Sequence, residues 1–158
     1  MKKLWLFAGK AAFWVTWPGL FILLRFSKRT RVFIRCGDEL LVVRGWLGGG
    51  EWSFPGGGLH RNEEAAQGAV REVFEETGIQ LEPNQLTPLF EKRIFLPHGL
   101  NYHCLAYGVD VQQKPITKEP AGEITAIAWQ PIDQLRSQPQ AEKLLNPALA
   151  IWEQTTKG

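Results

Sequence analysis

From Arg31 the chain alternates apolar and polar positions through Cys36, turns at Gly37-Asp38, and resumes with Glu39-Leu40-Leu41-Val42-Val43-Arg44. Residues two apart share one face of a strand, so this pattern predicts a β-hairpin. The glycine-rich run Gly45 to Gly50 predicts a loop, and Trp52-Ser53-Phe54 a short strand ending in the turn Pro55-Gly56-Gly57-Gly58. Apolar residues then recur at helical spacing: Ala65, Ala66, Ala69, Val70 and Val73 fall on one stripe. Asn62 is placed as N-cap of a helix running from about Glu63 to Glu76, with Gly78 as its stop. Further strands are expected at Leu89 to Leu96, Tyr102 to Val111 and Ile124 to Gln130. Pro131 opens a short helix through Leu135, and a C-terminal helix runs from Ala141 to Gln154 with a break near Pro147. Strands and helices mix without a regular β-α-β rhythm, which gives an α+β fold with a mixed sheet between helices.

The first 30 residues follow neither pattern. Leu4 to Leu24 is apolar and aromatic, interrupted by Lys10 and Pro18-Gly19, and its longest uncharged stretch, Ala11 to Leu24, falls short of the roughly 18 residues of a spanning helix. A signal peptide fits poorly, because Lys10 interrupts the apolar run and no small-x-small cleavage site precedes the folded part. Two readings stay open for residues 1–30: an interfacial helix on anionic lipid, or an amphipathic helix packed on the domain or at a homodimer contact. Residues 31–158 form the catalytic domain in this division.

Charge sharpens the contrast. The formal net charge of +2 hides eight Lys or Arg and no acid in the first 35 residues, against ten basic and sixteen acidic residues in the rest. A basic head suggests an anionic surface, and an acidic body suggests bound cations. Cys36 and Cys104 lie in apolar runs without zinc-ligand spacing, so buried reduced thiols and a cytoplasmic protein are expected, peripheral at the inner membrane surface if the head binds lipid.

The chemistry is concentrated between Gly57 and Ile79, where GGLHRNEEAAQGAVREVFEETGI satisfies G-x5-E-x7-R-E-U-x-E-E-x-G-U, U being aliphatic, at Gly57, Glu63, Arg71, Glu72, Val73, Glu75, Glu76, Gly78 and Ile79. Glu72, Glu75 and Glu76 stand at i, i+3 and i+4, one face of a helix. Three carboxylates on one stripe repel unless a cation lies among them, and such hard oxygen donors suit Mg²⁺ or Mn²⁺. Arg71 can fix a neighbouring glutamate by a forked hydrogen bond, with Glu75 within reach. Gly57 and Gly58 let the backbone come close enough for a carbonyl to join the metal shell.

This segment closely resembles the Nudix box, and Trp52 to Gly58 resembles the family's approach to it. The resemblance implies a Nudix-like α/β/α sandwich and metal-dependent hydrolysis of a nucleoside diphosphate linked to another moiety. It implies Glu72, Glu75, Glu76 and the Gly57 carbonyl as metal ligands, and Mg²⁺ as cofactor with Mn²⁺ as substitute. Glu72 is also implied as general base, Arg71 as an orienting residue, and Glu63 and Gly78 as structural members of the motif. Family members often use a further carboxylate outside the box, and Glu123 is the candidate here. The proline expected of ADP-ribose-cleaving relatives is replaced by Arg93 or Ile94, and the tyrosine of the dinucleoside-polyphosphate group by Phe95 or Leu96. Trp46, Trp52, Phe95, Tyr102 and His103 are candidates to stack on a base, although aromatics in strands more often belong to the core. An RNA 5′-end pyrophosphohydrolase and a non-catalytic nucleotide sensor are the alternatives. A sensor would be expected to lose acids that this chain keeps, and an RNA enzyme to line a groove with cations that here cluster at the N-terminus.

Overall fold

The computed structural model describes residues 27–45, 51–95, 101–138 and 141–155. The segments 1–26 and 46–50, and with them most of the basic head and Trp46, lie outside the described residues. Six strands form one mixed sheet: β1 (Lys28–Cys36), β2 (Glu39–Gly45), β3 (Trp52–Ser53), β4 (Thr87–Phe95), β5 (Asn101–Asp110) and β6 (Ile124–Pro131). The helices are α1 (Ala65–Thr77), the short α2 (Ile132–Arg136) and α3 (Asn146–Thr155), the last preceded by a π-helical turn at Ala141–Leu145. Among the described residues no helix is long and apolar enough to cross a membrane.

The sheet is built around a strand that changes partners. β1 meets β2 antiparallel only at Arg35–Leu40 and Cys36–Glu39, then runs parallel to β5 from Lys28–His103 to Arg35–Asp110. Where β1 departs from β2, the segment after β3 takes its place. The Val32 N–H donates to Pro55 O (2.8 Å), Thr30 N–H to Gly57 O (2.8 Å) and Leu59 N–H to Lys28 O (3.0 Å). β4 lines the far side of β5, and β6 the outer edge of β2, both antiparallel.

Strand periodicity gives each face its own core. Val32, Ile34, Leu41, Tyr107 and Val109 pack with Ala69 and Val73 of α1. Phe33, Leu40, Val42, Cys104 and Ala106 pack with Leu145, Leu149 and Trp152. The sheet therefore lies between α1 and α3 in an α/β/α sandwich, and the expected stripe of α1 is the one buried. Both cysteines are free thiols, Cys104 fully buried and Cys36 half-buried.

Several boundaries move. β1 starts at Lys28 rather than Arg31, so the division at residue 30 cuts into a strand. Lys28, Arg29, Arg31 and Arg35 thus belong to the sheet, and Arg35 is forked onto Asp110 (2.6 and 3.0 Å). α1 starts at Ala65, not Glu63, and its N-cap is Glu64, whose carboxylate accepts the Gln67 N–H (3.0 Å). Asn62 instead occupies the left-handed region at φ 61°, in the turn before the helix, a conformation asparagine tolerates well. The expected C-terminal helix is divided before Pro147, which sits in the first turn of α3, where its missing N–H costs nothing.

Candidate active site

The segment 55–59, threaded between β1 and β2, brings the glycines under the carboxylates of α1. A Cβ at Gly57 would overlap the Glu72 carboxylate, and a Cβ at Gly56, whose φ is 136°, would lie 2.8 Å from the Thr30 carbonyl carbon. Only glycine permits the approach at Gly56, and a side chain at Gly57 would have to push the Glu72 carboxylate aside. Gly56 is then held from two sides. Its N–H donates to Glu76 Oε2 (2.9 Å), and its carbonyl accepts from Arg31 Nη1, which also donates to Thr30 O (3.0 Å).

Arg71 organises the other carboxylates. Its fork falls on Glu63, Nε to Oε1 at 2.7 Å and Nη2 to Oε2 at 2.9 Å, and not on Glu75 as the i+4 spacing suggests. Nη1 reaches Glu72 (2.9 Å) and Glu75 (3.2 Å) by single bonds, and Nη2 also donates to Gly58 O (3.0 Å). The reason lies in the turn at Asn62, which folds Glu63 back over the first turns of α1. There its carboxylate also accepts the His60 N–H at 2.7 Å. The Arg71 bonds, aided by the His60 N–H, hold the Glu63 carboxyl down at about 2. Glu76 moves the other way. Burial pushes its carboxyl up to about 7, against the opposing pull of the Gly56 N–H and of Arg31 and Arg29.

Each of the three box carboxylates thus has one oxygen fixed by an internal donor: Glu72 and Glu75 by Arg71, Glu76 by Gly56. Among the described residues no three acidic, histidine or cysteine side chains lie together as a ready metal cage. The donor set nonetheless fits a hard divalent cation. It offers the second oxygen of each carboxylate, and a buried Glu76 whose ionised form a cation would favour. The Gly57 carbonyl accepts the Thr30 N–H and has a second lone pair.

The residues expected outside the box are scattered. Glu123 is exposed in the turn before β6, with its backbone beside Gly45, at the same end of the sheet as Gly57. No hydrogen bond or ion pair joins it to the box acids among the described residues. Tyr102 is 6% exposed in the core on the α3 face, and Trp52 packs beside that core under the Arg44 guanidinium (4.1 Å). Phe95 is 62% exposed at the end of β4, and His103 lies 3.3 Å from Glu91. Cross-strand pairing puts His103 and Phe95 on the opposite face from Tyr102, so the four do not form one aromatic floor.

Arg29 and Arg31 were not among the expected site residues, although they flank Thr30 beside the glycine loop. Their signal was in the alternation itself, since period two places both on one face of β1.

A family profile described as the NUDIX domain matches residues 26–150. The chain is 32% identical over 104 residues to a MutT-like protein of Streptomyces ambofaciens, covering 66% of this chain and 62% of that protein. It is 34% identical over 101 residues to mRNA-decapping enzyme subunit 2 of Arabidopsis thaliana, covering 63% of this chain and 26% of that protein. A solved NUDIX hydrolase from Nitrosomonas europaea shares the fold, with a TM-score of 0.63 and 22% identity over 78% of this chain and 88% of that one. The chain spans less than two thirds of the length of these two curated relatives. It belongs to the Nudix domain family.

Proposed function

We propose that this protein hydrolyses a phosphoanhydride bond in a nucleoside diphosphate linked to another moiety, or in a nucleoside triphosphate, using Mg²⁺ with Mn²⁺ as substitute. The observation that carries this reading is the meeting of Glu72 and Glu76 with the backbone of Gly56 and Gly57, while Arg71 holds Glu72 and Glu75 in place. Glu72, Glu75 and Glu76 would hold the cation together with the Gly57 carbonyl, and Glu123 is the proposed further acid from outside the box. When bound, the metal would neutralise the diphosphate and acidify a water.

In the reaction the water oxygen attacks phosphorus, the bond to the bridging oxygen breaks, and two phosphate-bearing products separate. Glu72 is proposed to take the water's proton, oriented by its bond to Arg71. Glu63 acts one step back, by fixing Arg71. The test is a panel of nucleoside diphosphate derivatives, triphosphates and capped RNA incubated with Mg²⁺. Phosphate-bearing products are expected from at least one member, with a loss in kcat of at least a hundredfold in Glu76→Gln. Absence of cleavage across the whole panel would sink the enzyme reading.

For the N-terminal segment we propose attachment to an anionic membrane surface on the cytoplasmic side. Its support is the aromatic run Leu4 to Leu24 with Lys2, Lys3, Lys10 and Arg25 around it, four basic residues that β1 does not use.

A further inference from the structure

Cross-strand pairing builds a cationic row on the face of the sheet away from α1. Cys104 of β5 is paired on one side with Arg29 of β1 and on the other with Lys92 of β4, and Ala106, two residues on, is paired with Arg31. Paired residues share a face, so Arg29, Cys104 and Lys92 stand abreast with Arg31 in the next row. Strands lie about 4.8 Å apart, so the backbones of Arg29 and Lys92 are roughly 10 Å apart. That is wide enough for more than one phosphate group.

The cations have no acid of their own on this face. Among the described residues none of the three forms an ion pair with a carboxylate, whereas Arg35, Arg71 and Lys114 each do. All three are half-buried. Arg31 has a buried Nε without a hydrogen-bond partner, although its Nη1 is tied to Gly56 O and Thr30 O. The acids that act on Arg29, Glu72 and Glu76, belong to α1 and are the residues proposed to hold the metal. Arg29 lies over the Tyr102 ring (5.9 Å) and Lys92 over the Phe90 ring (4.5 Å), contacts that leave the charges without a counter-anion. Half-buried cations that lack a carboxylate partner beside a diphosphate site call for an anion that the protein itself does not supply.

We infer that Arg29, Arg31 and Lys92 form a second anion subsite, which receives phosphate of the substrate other than the diphosphate that is cut. This rests on the proposed function and narrows it: the substrate is a nucleotide derivative carrying at least one additional phosphate.

The test compares substrates that differ by one phosphate monoester, NADPH against NADH and coenzyme A against its dephospho form, with Mg²⁺. The phosphate-bearing member of at least one pair is expected to have the higher kcat/KM by about tenfold, expressed in KM. Arg29→Gln and Lys92→Gln each collapse that ratio towards one, and Arg29→Lys and Lys92→Arg restore most of it. Equal loss on both members of a pair would assign these side chains to the scissile diphosphate or to the fold, and would overturn the subsite. A second arm needs no turnover. With metal chelated, inorganic tripolyphosphate should raise the melting temperature of the intact chain and shift the Arg29→Gln/Lys92→Gln variant less. If nothing on the panel is cleaved but this difference persists, the hydrolase reading falls and the anion site stands. If the two proteins shift alike, the anion site falls.

Discussion

Glu63 ties the loop before α1 to the helix itself, through the fork of Arg71 and the His60 N–H. Its carboxyl sits at about 2, below the ordinary 4.5. A carboxylate with a depressed folded pKa contributes stability that is complete above the unfolded value and lost as pH falls through the folded one. Glu63→Gln keeps the shape but removes the charge, and should cost about 1–2 kcal/mol at pH 7, or roughly 3–6 °C in a domain of this size. The deficit should narrow below about pH 4.5, so thermal unfolding of both proteins at pH 7 and pH 3 checks it; equal deficits would contradict the assignment. At this scale the box acids were legible from spacing alone, since i, i+3 and i+4 fix a helix face. The partner of Arg71 was not, because it depends on a left-handed turn at Asn62 that spacing does not encode.

Helix α1 must hold Glu72, Glu75 and Glu76 over the glycine loop, and its C-terminus is tied down accordingly. Gly78 adopts φ 78° and donates its N–H to Phe74 O (2.8 Å). Lys118, arriving from the segment before β6, gives its backbone N–H to Thr77 O (2.8 Å) and its Nζ to the Glu75 carbonyl. Gly78→Ala would force a side chain into the left-handed region and set its Cβ 3.1 Å from that of Lys118. The left-handed conformation alone costs about 1–2 kcal/mol, so the melting temperature should fall by roughly 3–6 °C. An unchanged melting temperature would show that the C-cap contributes little. Gly78 could be read as a stop because glycine after an apolar helical stripe is a local signal. The Lys118 contact could not, since it joins residues far apart in the chain. Strand positions at 87–95, 101–110 and 124–131 followed from alternation to within a residue or two, apart from partner choice.

At the scale of the molecule, α+β class and a mixed sheet between helices were legible because each element carried its own period. β1 begins at Lys28, ahead of the division at residue 30, because a basic, apolar run continues without a break into the strand, and composition cannot separate a head from a strand that uses the same residue types. The head is thereby reduced to four basic residues, which makes its proposed lipid attachment weak and salt-sensitive. Deleting residues 1–25 should move the protein from vesicles rich in anionic lipid to the supernatant in a flotation assay; unchanged partitioning would remove the anchor.

β1 presents Thr30, Val32 and Ile34 to the α1 side and Arg29, Arg31 and Phe33 to the other. The two sets are interleaved in sequence yet answer to different demands: the first fits against α1, while in the second Phe33 fills the core on the α3 side and Arg29 and Arg31 are the residues proposed to meet a ligand's charge. If the anion subsite holds, substitution at position 29 would change which compounds are accepted without disturbing the helix-facing core, whereas substitution at 31 would also release the Gly56 and Thr30 carbonyls. Loss or gain of a single codon within the strand would exchange the two sets at once. The strand thus tolerates replacement at its ligand-side positions far better than insertion.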